Sequence, residues 1–247
     1  MPTATKTKAK AGSRGKPEES REAILEAALK EFAQEGLAGA RTDAIAQAAG
    51  LNKALLYYYF GDKEKLYGAV LDRVFSGLSD AVLAAMESER DSAGKILAWA
   101  GAHFDYLANS PVAPRVVQRE LMRAGRSGSP HMRRLAERYM RPVFLKLMET
   151  LRAGMAAGQF RKIDPVDFIL STIAMIVFYF GSTTMVEIVT HMDPLAPERI
   201  AQRRFAVLDM VAASLLVKTP DDAPASKVTG SNPFGVESPS GPERRRK

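Results

Sequence analysis

The chain has 247 residues, 46% of them hydrophobic, and a formal net charge of +7 at pH 7. It is long enough to bury substantial cores, and its lack of cysteine excludes a disulfide framework, thiolate zinc sites and a cysteine nucleophile. The basic N-terminus has no apolar run of the kind a secretory signal needs, which points to a cytoplasmic protein.

The charge is unevenly spread. Residues 1–16 hold five Lys/Arg and no acid, whereas residues 17–65 hold six against nine. The opening 17 residues are therefore expected to be a disordered basic arm, of a kind that either contacts nucleic acid or is simply solvated. Ser20, followed by Ala23, Ile24, Ala27, Ala28, Leu29 and Phe32, opens a predicted helix that stops in the glycines of 35–39. Thr42 is expected to cap a second, short helix ending at Gly50, Asn52 a third running to about Tyr59, and Asp62 starts a long fourth. Helices this short cannot bury themselves separately. They are expected to share a core of Ile24, Ala28, Phe32, Ile45, Ala46, Ala49, Leu51, Leu56 and Phe60, with the middle pair forming a helix-turn-helix in a domain spanning 18–65.

Three consecutive tyrosines, Tyr57, Tyr58 and Tyr59, stand in the third helix. Successive helical residues point about 100° apart, so all three cannot face one core. With Leu56 directed inward, Ala54 and Tyr58 point outward and Leu55 and Tyr57 flank them. Lys53 at the helix start completes a small, apolar and aromatic surface suited to base edges and phosphates in a major groove.

The run from Thr42 to Leu66, "TDAIAQAAGLNKALLYYYFGDKEKL", resembles the DNA-binding segment of the TetR (tetracycline repressor) family, and the resemblance spans about residues 20–66. It implies that Thr42 and Lys63 hold phosphates, that Lys53, Ala54, Leu55 and Tyr58 face the groove, and that Tyr57 and Tyr59 touch the backbone. Asn52 and Tyr59 stand where serine and histidine are frequent in the family, and both are included in the expected DNA contacts. A net-negative segment cannot reach DNA by overall charge, so the adjacent lysine arm is expected to assist it.

The remainder reads as an all-α body over 66–217, with helices expected near Lys63–Glu89, Ala93–Ala108, Pro111–Arg123, Pro130–Ala157, Pro165–His191 and Pro197–Val217. Residues 218–247, rich in Pro, Gly and Ser and ending in RRRK, are expected to be a disordered tail. Phe168–Val186 carries no charge over 19 residues, which by length admits a membrane span. Its hydroxyl residues and acidic flanks favour a helix buried on all sides instead. The resemblance implies that this helix and the last one pair with a second subunit, with Phe168, Thr172, Met185, Ile188, Phe205, Leu208, Val211 and Leu215 as interface residues.

Catalytic and metal readings find no support in the residues. His103, His131 and His191 lie in three different helices without metal-type spacing, and no serine sits in a nucleophile elbow. No cofactor and no metal are expected. A cavity for a small-molecule effector is expected among Trp99, His103, Phe104, Tyr106, Arg119, Met122, Met140, Phe144, Met148, Met175, Phe178 and Tyr179. The resulting expectation is a homodimeric transcriptional regulator, a repressor released from a palindromic double-stranded DNA operator by that effector. The alternatives are a DNA-binding factor of the same fold with no effector, and a membrane-associated protein using residues 168–186.

Overall fold

The computed structural model describes residues 17–110, 112–124 and 129–217, so the expected basic arm and the C-terminal tail lie outside the described residues. Among the described residues the regular elements are helices, with one isolated bridge between Phe160 and Leu216. α1 spans Pro17–Gly39 and starts earlier than expected, because Pro17 suits a first turn and Glu18 and Glu19 complement the helix dipole there. It breaks at Gly36 (φ 68°, ψ 179°), a conformation that a side chain would strain.

α2 spans Thr42–Ala48, α3 Lys53–Phe60 and α4 Lys63–Glu87. Arg41, not Thr42, occupies the N-cap of α2, and no side chain caps that helix; Thr42 is its first helical residue. Asn52 caps α3 as expected by accepting the Ala54 N–H at 2.8 Å, and Asp62 caps α4 by accepting the Lys65 N–H at 2.7 Å. Ile24, Ala28, Phe32, Ile45, Ala46, Leu56 and Phe60 are buried together, with Ala49 and Leu51 packed partly buried against them. This core continues into Leu66, Tyr67, Val70 and Leu71 of α4 and takes in Val116 and Leu135 from further along the chain.

The body consists of α5 (Ser92–Ala108), α6 (Ala113–Ala124), α7 (Pro130–Leu135), α8 (Arg141–Ala156), α9 (Pro165–Gly181), α10 (Thr183–Thr190) and α11 (Pro197–Leu215). Two helices expected to be continuous are divided. Residues Ala136–Met140 between α7 and α8 form a π-helical turn, which follows from Pro142: it has no N–H for the ladder and its ring crowds the carbonyl four residues back. The helix expected over Pro165–His191 breaks at Gly181–Ser182, where α9 and α10 meet with a 69° bend. The Ser182 hydroxyl donates to the Phe178 carbonyl at 2.6 Å, and such Gly/Ser pairs are a known cause of kinks. No single helix among the described residues is long and apolar enough to cross a membrane; only the bent pair α9–α10 passes on length and composition together.

Candidate nucleic-acid interface and effector cavity

α3 presents its outward face as the residue spacing requires. Leu56 is fully buried, whereas Leu55, Tyr57 and Tyr58 are 37%, 40% and 80% exposed. Lys53 and Ala54 are exposed beside them, while Tyr59 is half-buried and packs edge-on against Tyr58 with ring centroids 5.3 Å apart. One tyrosine of the three thus belongs partly to the core and two face outward.

Polar contacts tie this face to α2 and α4. The Thr42 and Tyr57 hydroxyls lie 3.1 Å apart, joining the two helices of the helix-turn-helix. Lys53 Nζ is 2.6 Å from Asp43 Oδ1 and 5.9 Å from the Tyr57 ring centroid. Their mutual hydrogen bond lowers the Asp43 carboxyl below its usual range and raises the Lys53 ammonium above its own. The pair is exposed, so salt screens it and a phosphate can compete for the lysine. Lys63 Nζ donates to the carbonyls of Ala38 and Ala40 at 3.2 and 3.1 Å, which fastens the start of α4 to the end of α1 and leaves one donor for a phosphate. The Asn52 side-chain oxygen is taken by the cap, so only its NH₂ group faces outward chemistry. Arg41 escaped the sequence reading: it is exposed at the N-cap of α2, makes no side-chain hydrogen bond or ion pair among the described residues, and adds to the field that lowers Asp43. Its only signal in the sequence is its place immediately before Thr42.

A cavity of about 420 Å³ opens within the body. Its floor holds Trp99, His103, Leu147 and Ile169, all buried, and its mouth is formed by exposed Leu121, Glu137, Met140 and Arg141. Of the twelve residues expected around a ligand, Trp99, His103, Met140 and Phe144 line it. The others do other work. Phe104 is fully buried in a separate core with Ile176 and Val207. The Tyr106 hydroxyl donates to the Val74 carbonyl at 2.9 Å, and Arg119 donates to the carbonyls of Ala33 and Gln34 at 3.0 and 2.6 Å. Met148 and Met175 pack partly buried in the core, Met122 and Phe178 are 77% and 64% exposed, and Tyr179 donates to the Pro194 carbonyl. The sequence reading missed the α4 contribution, Val74, Phe75, Leu78, Ser79 and Val82, and that of Tyr139 from the π turn. A long amphipathic helix gives no sign that one stretch of its apolar face lies over a void.

The expected dimer residues divide as well. Phe205, Ile188 and Met185 are 74%, 67% and 50% exposed, and Phe168 and Leu208 are half-buried. Thr172, Val211 and Leu215 are buried and cannot meet a second subunit; the Thr172 hydroxyl donates to the Phe168 carbonyl within its own helix. Exposed Leu170, Val189 and Met210 extend the apolar surface instead. Among the described residues no group of three His, Asp or Glu side chains is arranged to hold a metal ion.

α6 stands between cavity and DNA-binding helices. Pro114, Val117 and Leu121 line the cavity, while Arg119 grips the end of α1 and Glu120 is fully buried against α4.

Residues 24–70 match the family model described as bacterial regulatory proteins, tetR family, and residues 95–211 match a tetracyclin repressor-like C-terminal domain. The HTH-type transcriptional repressor SCO4008 of Streptomyces coelicolor is 36% identical over 127 residues, which cover 51% of this chain and 62% of that protein. The HTH-type transcriptional repressor NicS of Pseudomonas putida is 28% identical over 168 residues, covering 66% of this chain and 76% of that one. Among solved structures, the putative transcriptional regulator SCO4942 of Streptomyces coelicolor superposes with a TM-score of 0.62 at 26% identity, covering 79% of this chain and 98% of its own. The ketosteroid transcriptional regulator KstR2 of Mycobacterium tuberculosis shares the fold, with a TM-score of 0.66 at 19% identity over 80% of this chain and 95% of its own.

Proposed function

The chain belongs to the tetR family of bacterial regulatory proteins, and from that premise we propose that it is a cytoplasmic homodimeric repressor that reads a palindromic operator through α3 and leaves it when a small molecule fills the body cavity. The observation that carries the reading is Tyr58, 80% exposed at the centre of a small apolar surface and free of any role in the core. A side chain of that size left in water at the middle of a recognition helix is explained by contact with base edges.

One short helix reads too few bases for selective binding, so two copies acting on half-sites about 34 to 36 Å apart are required. The exposed Met185, Ile188 and Phe205 supply an apolar surface on which the copies can pair. Release by a ligand is supported by α6, whose cavity-lining Val117 and Leu121 flank Arg119 and Glu120, the two residues that hold α1 and α4. Repression, rather than activation, is favoured by the similarity to SCO4008 and NicS, both of them repressors by name.

Selection of bound sequences from random double-stranded DNA tests the proposal. An enriched inverted repeat is the expected result, and enrichment of no sequence would refute it. Removing residues 1–16, which carry five Lys/Arg and no acid, should flatten the salt dependence of binding by about 0.9 in the log-log slope for each phosphate the arm had neutralised. An unchanged slope would make the arm a solvated tail.

A further inference from the structure

We propose that the cavity selects an uncharged, lipophilic molecule bearing one hydroxyl or carbonyl group, which pairs with the His103 imidazole at the cavity floor. This rests on the cavity being the effector site and deepens that reading by naming the class of ligand.

The floor is built to refuse charge. Trp99, Leu147 and Ile169 around His103 are at most 1% exposed, and the charged residues of the lining, Glu137 and Arg141, stand at the exposed mouth, where Arg141 Nη1 pairs with Glu137 Oε2 at 3.3 Å. A carboxylate or ammonium carried down to the floor meets no fixed counter-charge there, and burying an unpaired ion is far costlier than burying a neutral polar group that finds one hydrogen bond.

His103 supplies that bond. Its side chain is only 6% exposed, lines the cavity and makes no hydrogen bond to any described residue. It meets the Trp99 ring edge-on, at 6.4 Å between centroids. Buried polar groups in folded proteins are normally hydrogen-bonded, so a buried imidazole without a partner beside a void marks a place where something else completes it. Burial holds the imidazole neutral, with its pKa pushed down to about 4. A neutral imidazole offers one donor and one acceptor, matching a hydroxyl through either nitrogen and a carbonyl through the donor. Ser79, 8% exposed on the facing helix α4, adds a second polar group to the lining, its hydroxyl without a hydrogen bond to any described residue. A volume of about 420 Å³ lies within the range of small-molecule sites.

Three probes of one chain length separate the classes: 1-decanol, decanoate and decylammonium, titrated at pH 7.5 into the full chain. Trp99, the one tryptophan of the sequence, reports occupancy by its fluorescence from within the cavity wall. Decanol should bind saturably and at least about tenfold more tightly than either ion. His103→Phe, which keeps the volume but removes both polar atoms, should weaken decanol binding by about tenfold, in line with the removal of one hydrogen bond. Ser79→Ala serves as a gentler second variant and should weaken it less. Tighter binding of decanoate or decylammonium, absence of saturable binding by all three, or decanol binding unchanged in both variants would overturn the proposal. Operator release is measured in parallel: decanol that binds the floor and leaves the protein on DNA would uphold the ligand class and sink the effector reading instead.

Discussion

The Tyr67 hydroxyl donates to Glu120 Oε2 at 3.1 Å, joining α4 to α6 across 53 residues of sequence. Glu120 is fully buried and also accepts from Arg123 Nε at 3.0 Å and from the Ser129 hydroxyl, so one carboxylate ties α4, α6 and the cap of α7 together. Burial and the neighbouring carboxylate together hold the Tyr67 phenol protonated well above its usual range. Glu120→Ala leaves the Tyr67 and Ser129 hydroxyls without their buried acceptor, while Arg123 keeps Glu64 at 3.6 Å, and it should cost about 2 to 4 kcal/mol. For a domain of this size that corresponds to roughly 5 to 15 °C in Tm. Tyr67→Phe should cost about 1 kcal/mol, and the two changes should be less than additive in a double-mutant cycle measured by urea unfolding. Full additivity would mean that the hydroxyl and the carboxylate do not work as one unit.

A second outcome concerns the break in α1. Gly36 sits at φ 68°, and a Cβ built there would lie 3.1 Å from Arg119 Nη1. Gly36→Ala therefore meets both backbone strain and the side chain that holds the end of α1, and it should lose about 1 to 3 kcal/mol in chemical denaturation. Stability equal to that of the unmodified chain would show that the α1–α6 junction yields without cost.

In the helix-turn-helix, one substitution on α3 and one on α2 should act in opposite directions. Tyr58→Ala removes an exposed ring and should leave Tm unchanged while costing about 1 to 3 kcal/mol of operator binding, with binding to random DNA unaffected. Asp43→Ala frees Lys53 for phosphate and should tighten binding to all sequences, steepening the log-log salt slope by about 0.9. If Asp43→Ala weakens binding, the Asp43–Lys53 pair is holding the lysine in its working position rather than competing for it.

For dimerisation the residues to change are the exposed ones. Phe205→Glu and Ile188→Glu place charge on an apolar surface and should give folded monomers in sedimentation, with operator binding abolished. Val211→Asp, at a position 1% exposed, should unfold the body by burying an unpaired charge. A dimer that survives charge at Phe205, Ile188 and Met185 together would place the interface elsewhere.

Acid sensitivity should trace to His103. Its pKa falls from 6.5 to about 4 on folding because burial penalises the imidazolium. The unfolded chain then binds the extra proton first, so the contribution is complete above about pH 6.5, is lost as pH falls toward 4, and levels off below that. The loss amounts to about 3 kcal/mol over that window. Unfolding free energies measured from pH 7 to pH 4 should show this slope, and His103→Phe should remove it.

The recognition face and its core were legible in the residues because they follow from local periodicity. The spacing of Leu56 and Phe60 settles which side of α3 is inward, and Tyr58 at the opposite azimuth is outward whatever the helix packs against. Asn52 and Asp62 announce helix starts because a short acceptor side chain satisfies orphan backbone N–H groups within the same turn. Thr42 carried the same kind of signal and misled. Its hydroxyl bonds Tyr57, 15 residues away, and the competing partner is invisible to a local pattern.

What the sequence determined by itself was therefore the order of the helices, the helix-turn-helix and its outward tyrosines, all set by interactions within a few residues. What only the tertiary structure decided was which of many apolar body residues face the void, the core or the surface. Phe104, Phe178 and Phe144 are the same residue type, each within a body helix, yet one is buried, one lies 64% exposed and one lines the cavity. That choice depends on how α4, α5, α8 and α9 pack on one another. A helix that is apolar on several sides does not specify which side meets which neighbour, because burial rewards them nearly equally.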